Sequence, residues 1–127
     1  MTDERPTDDE EWTRALDMMN QVYEGMDYRA DGATPYTEHT VRHVFGEVWP
    51  SSTLSIRDRR LVNLGICAAL GENRIMESQI RNALGKGELG VDDLRSLVVH
   101  LAYYVGWPRT STVNKIAEQA ISEYEKP

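Results

Sequence analysis

Apolar residues recur at helical spacing along most of the chain, and no stretch alternates apolar and polar residues long enough to indicate a strand. Glycine, proline and capping residues divide this pattern into segments. The sequence therefore predicts an all-α protein whose six helices cover about 8–28, 38–49, 56–70, 73–84, 91–105 and 111–124.

The predicted helix ends rest on a few capping signals. Thr7 with Glu10 fits a capping box, and Thr37 is placed to cap the second helix. Gly71 and Gly106 follow the third and fifth helices, as residues after a helix C-terminus often do.

The third helix differs from the others because residues 61–70 are apolar nearly all round, with Asn63 the only polar side chain. Such a helix is buried on several sides, in a core or against another subunit. In a chain of 127 residues this predicts an obligate oligomer.

Composition adds limits on partners and location. The length fits a single domain over 1–127, and the net charge is -7. The first eleven residues hold six acids and one arginine, so the rest of the chain is close to neutral, and residues 1–7 are expected to form a mobile tail. The absence of a basic stripe argues against nucleic acid, and no apolar run is long enough for a membrane span. A single cysteine and an acidic N-terminus favour the cytoplasm.

Several kinds of chemistry lack the residues they need. The stretch GKGELG lies between two helices with no preceding strand, so it is not a phosphate loop. His39 and His43 have the i, i+4 spacing of metal ligands, but a solvated helix face is the preferred interpretation. Cys67 lies in the apolar helix and is interpreted as an inert core thiol.

His100 is the most informative polar residue, because it lies in the otherwise apolar and aromatic stretch VVHLAYYVGWP. Tyr104 is one turn further on, and Tyr103 is adjacent on the same side. Two interpretations stay open: a hydrogen-bonded pocket wall, or a core histidine tied to a backbone carbonyl or a tyrosine.

Three stretches in order, WPSSTLSIRDRRLV, IRNALGKG and VVHLAYYVGWP, resemble the carboxymuconolactone decarboxylase family over about 45–113. The resemblance implies an all-helical bundle of six helices, of the type found in alkyl hydroperoxidase D. It also implies a trimer or hexamer with the active site at subunit contacts. The founding activity of the family is decarboxylation of a carboxylated muconolactone in bacterial aromatic catabolism.

The chain departs from the family pattern on the fourth helix. The CxxC cysteines of the hydroperoxidase branch fall on Glu72 and Ile75, and its histidine falls on Gln79. The Glu and His of the decarboxylase branch fall on Ile75 and Gln79, so neither is present. The residues that do match are His100, Tyr104, Gly106, Pro108, Glu47 and Trp49.

The resemblance implies an enzyme that decarboxylates a small lactone or keto acid. His100 is the expected proton donor, with Glu47 its partner and Tyr104 a donor to the developing oxyanion. A carboxylate substrate would be bound by Arg81 or Arg59, and no metal or cofactor is required if the substrate supplies its own electron sink. The pocket is expected to include Trp49 and Gln79.

Two other functions are kept as alternatives. A non-catalytic ligand-binding or accessory subunit is suggested by the missing Glu and His at Ile75 and Gln79. A thiol peroxidase is less favoured, because Cys67 has no second cysteine near it.

Overall fold

The computed structural model describes residues 7–127, which contain six α-helices and no strand. The prediction of an all-α, six-helix fold is therefore confirmed. The predicted mobile tail lies outside the described residues except for Thr7. The chain divides into two compact units, one ending at Ile56 and the other spanning Arg57–Pro127. No helix in the described part of the chain combines the length and apolar character needed to cross a membrane.

The first helix, α1, spans Asp8–Val22 and begins with the predicted capping box of Thr7 and Glu10. The prediction that it continues to residue 28 is wrong. The side chain of Asn20 accepts a hydrogen bond from the backbone N–H of Met26 at 2.8 Å and donates one to the Met26 carbonyl, also at 2.8 Å. Asparagine favours such bonds over helical ones, so the chain turns here instead of continuing the helix.

The next helical region consists of α2, Pro35–His39, and a π-helical segment, Thr40–Val48. Thr34 caps α2 and accepts a hydrogen bond from the Thr37 N–H, so the prediction of Thr37 as the cap is wrong by one turn. Pro35 at the first helical position favours this earlier start. The first backbone N–H groups of a helix have no partner within the helix, so proline, which lacks an N–H, costs nothing there. α1 packs against the π-helical segment around a core of Trp12, Ala15, Met19, Val22, Val41, Phe45 and Trp49.

The second unit contains α3 (Ile56–Leu70, whose first residue closes the first unit), α4 (Asn73–Gly85), α5 (Val91–Val105) and α6 (Trp107–Tyr124). Their apolar sides share one core that includes Leu64, Met76, Ile80, Leu84, Leu94, Leu101, Val113 and Ile121. α6 begins four residues earlier than predicted, because Pro108 in its first turn starts the helix.

Only one side of α3 is buried in the chain itself. Leu64, Cys67 and Ala68 face the core, whereas Val62, Ile66 and Leu70 are 57%, 50% and 68% exposed. The prediction of burial on several sides is therefore not met within one chain. The alternative, burial against another subunit, stays a prediction.

A buried ion pair joins α3 to the loop between α4 and α5. Arg60 is fully buried and donates through Nε and Nη2 to the two carboxylate oxygens of Glu88, at 2.8 and 3.0 Å. Its Nη1 donates to Oε1 of Gln79 at 3.1 Å. Arginine binds a carboxylate best in this two-point arrangement, so the pair fixes the loop against α3.

Gly71 ends α3 with a φ of +73°, and a Cβ there would meet the Arg109 guanidinium. We expect Gly71→Ala to lower the free energy of unfolding by about 1–2 kcal/mol, because an L-residue is disfavoured in the left-handed region. Gly85→Ala is the matched control, since Gly85 is helical and a Cβ there meets nothing within 4 Å. Urea unfolding of both variants tests the prediction, and equal losses at the two positions would contradict it.

Candidate active site around His100

His100 lies on the exposed face of α5, whose opposite face buries Leu94, Leu101 and Ala102. The ring of Tyr104 lies one turn further on, with the two ring centroids 4.8 Å apart at an angle of 34°. Both rings are exposed, so the interpretation of His100 as a core histidine does not fit the structure. The i, i+4 spacing in the sequence correctly predicted that these two residues lie together.

The exposed face of α5 continues into an aromatic cluster at the corner between α5 and α6. Tyr103 and Trp107 pack edge to face with their centroids 6.2 Å apart, and both are exposed. Gly106 produces the corner, because its φ of 108° ends α5 and allows α6 to begin at the next residue. His100 thus contacts the ring of Tyr104 on an exposed helix face that leads to Tyr103 and Trp107.

The two candidate arginines differ in what they already bind. Arg59 is half-buried, and its Nε is buried without a hydrogen-bond partner in the described chain. Arg81 donates to Glu123 and, at 3.2 Å, to Glu77. The hydrogen bond to Glu123 raises the pKa of Arg81 above its usual value, and the same bond lowers the pKa of Glu123. Arg81 is thus engaged by two carboxylates, whereas no carboxylate of residues 7–127 engages Arg59.

Gln79 and Trp49, predicted to line the pocket, are both buried side chains. Gln79 is fully buried on α4, where it accepts the hydrogen bond from Arg60. Trp49 belongs to the core of the first unit and stacks on Phe45. Both contribute to packing in this structure, and substrate binding by either stays a prediction.

Glu47 has a partner that the sequence interpretation missed. Its Oε1 lies 2.8 Å from Nδ1 of His43, within the π-helical segment. The i, i+4 spacing of the two residues indicates this contact, but His43 was interpreted as part of a solvated helix face. A role for Glu47 as the partner of His100 stays a prediction. Within residues 7–127, no group of three or more His, Cys, Asp or Glu residues is arranged to hold a metal ion.

Cys67 is buried in the core of the second unit. Burial raises the pKa of its thiol, and the charge of Glu72 raises it further. A thiolate is the reactive form, so both effects make this cysteine a poor nucleophile near neutral pH.

Two comparisons with known proteins found similarity to this chain. Residues 34–119 match the carboxymuconolactone decarboxylase family, which is about two thirds of the chain. The chain is also similar to a protein of Acinetobacter baylyi named 4-carboxymuconolactone decarboxylase, with 28% identity over 82 residues. That region spans 65% of this chain and 60% of the relative. The match includes the π-helical segment, the His100 motif and most of α6, and on this evidence the chain belongs to the carboxymuconolactone decarboxylase family.

Proposed function

We propose that this protein is a cofactor-free decarboxylase of a small lactone or keto acid, acting in bacterial aromatic-type catabolism. The observation that supports this most directly is the exposed His100–Tyr104 pair, which lies in the motif that resembles the family. The name of the Acinetobacter baylyi relative suggests 4-carboxymuconolactone as the first substrate to test. The single cysteine, which leaves no internal disulfide, favours a cytoplasmic location.

In the proposed reaction the bond between the carboxylate carbon and its neighbouring carbon breaks, and carbon dioxide leaves. The electron pair moves into the substrate's own carbonyl system, which gives an enolate. His100 then donates a proton to the carbon that has lost the carboxylate. The hydroxyl of Tyr104 donates a hydrogen bond to the enolate oxygen, where negative charge develops.

Arg59 is the residue we propose for substrate binding, because it is only half-buried and no carboxylate of the described chain engages its guanidinium. We expect purified protein to release carbon dioxide from 4-carboxymuconolactone, and Arg59→Gln to raise KM about tenfold or more, as for a lost hydrogen bond to a charged group. Arg81→Gln is the matched comparison and should leave KM nearly unchanged, because Arg81 is already bound by Glu77 and Glu123. A raised KM in Arg81→Gln alone would assign the role to Arg81 instead.

We further propose that the protein is a homo-oligomer, a trimer or hexamer, in which a second copy covers the exposed side of α3 and the aromatic face of α5. Exposed apolar surface of this kind is typical of a protein interface. A neighbouring subunit over α5 would also exclude water from His100. We expect light scattering to give a mass of at least three chains, and a stable folded monomer at low concentration would rule this out.

An accessory, ligand-binding subunit is the second candidate. It is favoured by the fourth helix, where Gln79 takes the position of the family histidine and is bound to Arg60 in the core. This candidate predicts an oligomer that binds lactone acids without releasing carbon dioxide from any of them. A thiol peroxidase is a poorer candidate, because Cys67 is buried and is the chain's only cysteine.

A further inference from the structure

The first unit contains an open groove of about 610 Å³ between α1 and the π-helical segment. Its volume falls in the range of about 300–1,000 Å³ that is typical of small-molecule sites. Ala15, Met18 and Phe45 contribute apolar surface, whereas Arg14 and His43 contribute polar groups. His100, Tyr104 and Arg59 do not line this groove, but Glu47, the expected partner of His100, does.

Arg14 is the positively charged side chain of the groove that can bind an anionic ligand. No hydrogen bond or ion pair engages its guanidinium within residues 7–127. Arg42 also lines the groove, but it binds both carboxylate oxygens of Asp8, at 2.7 and 3.2 Å, and lies over the ring of Trp12. The charge of Glu11, a third lining residue, acts on Arg42 as well. An added carboxylate would therefore bind Arg14.

His43 adds a directional hydrogen-bonding group. The Glu47 carboxylate can only accept, so in the neutral form of the His43 ring the hydrogen is on Nδ1, 2.8 Å away. Nε2 is then an acceptor. The imidazole is about half exposed, at 52%, and can receive the hydrogen of a ligand hydroxyl.

We propose that this groove binds a small hydroxylated carboxylate with an apolar body. Arg14 binds the carboxylate, Nε2 of His43 accepts the hydroxyl hydrogen, and the apolar body lies on Met18 and Phe45. The binding contacts of this proposal require neither His100 nor Arg59, so binding can be tested whether or not the protein releases carbon dioxide.

Three matched probes test the groove: 4-hydroxyphenylacetate, phenylacetate, which lacks the hydroxyl, and 4-methylphenol, which lacks the carboxylate. The chain has five methionines, so NMR of protein with ¹³C-labelled methionine methyls reports where each probe binds. We expect 4-hydroxyphenylacetate to bind most tightly and to shift the Met18 methyl. The methyl of Met76, which lies in the core of the second unit, should stay unshifted.

Two variants assign the contacts. Arg14→Gln should weaken binding of both acids about tenfold and leave 4-methylphenol unaffected, because one hydrogen bond to a charged group is lost. His43→Phe should abolish the preference for the hydroxylated acid over phenylacetate. Arg29→Gln, an exposed arginine of the same unit outside the groove, is the control and should bind as the unmodified protein does. The proposal is overturned if no probe shifts Met18 at millimolar concentration, or if Arg14→Gln binds both acids with unchanged affinity.

Discussion

Replacing Arg60 with methionine is expected to lower the free energy of unfolding by about 3–5 kcal/mol, the usual cost of removing one partner of a buried ion pair. Arg60 is fully buried, and the Glu88 side chain is only 14% exposed. Methionine has a similar length but no charge, so it leaves the Glu88 carboxylate without its cation and Gln79 without the Nη1 donor. The loss is measured by urea unfolding at a fixed protein concentration, because dissociation of an oligomer would also change the apparent stability.

Arg95→Met is the matched control for this prediction. Arg95 binds Glu118 with the same two-point geometry, at 3.1 and 3.0 Å, but both side chains are largely exposed. Water screens an exposed pair, so its removal should have little effect on unfolding. The double replacement Arg60→Met with Glu88→Leu should recover most of the loss, because no unpaired charge is left in the interior. Equal losses of unfolding free energy in Arg60→Met and Arg95→Met would show that burial does not determine how much the ion pair contributes to stability.

The second large effect is expected at His100. If His100 is the proton donor, His100→Asn should keep the fold and the oligomer but reduce turnover on the order of 100-fold or more, as for loss of one general acid. Tyr104→Phe should give a smaller loss in kcat, and Tyr103→Phe, which alters the neighbouring ring, serves as its control. Turnover is followed by carbon dioxide release from the lactone acid.

Cys67→Ser separates this mechanism from thiol chemistry. Acid catalysis by His100 predicts nearly unchanged turnover, whereas a peroxidase would lose all activity with its only cysteine. An essential Cys67 together with a silent His100 would overturn the decarboxylase proposal. Absence of activity in the unmodified protein on every lactone acid tested would favour the accessory-subunit candidate.

The helices of the second unit, apart from the start of α6, were well predicted because their ends depend on local signals. Gly71 and Gly106 end α3 and α5 where predicted, since a positive φ at each position needs glycine. In the first unit the limits depend on contacts over longer distances. The turn that ends α1 depends on the Asn20 side chain reaching Met26, a contact that the spacing of apolar residues does not indicate.

In the candidate site, too, contacts between residues close in sequence were predicted and contacts between distant residues were not. The His100–Tyr104 contact was predicted because residues four apart share a helix face. The partners of Arg81 and Gln79 were not, because Glu123 and Arg60 are 42 and 19 residues away in sequence. No local pattern indicates which of several arginines is already paired in the fold, and that pairing separates Arg59 from Arg81.

Because Cys67 is buried, the reactivity of its thiol reports how often α3 separates from the core. It is the chain's only cysteine and lies on the inner side of α3, 8% exposed. A maleimide or disulfide reagent reaches it only when α3 separates from the core, so the labelling rate is the intrinsic rate of the thiol multiplied by the fraction of open molecules. If α3 is held from outside by a neighbouring chain, labelling should become faster as the protein is diluted. A single native cysteine would thus give a time-resolved measure of association without any engineered probe.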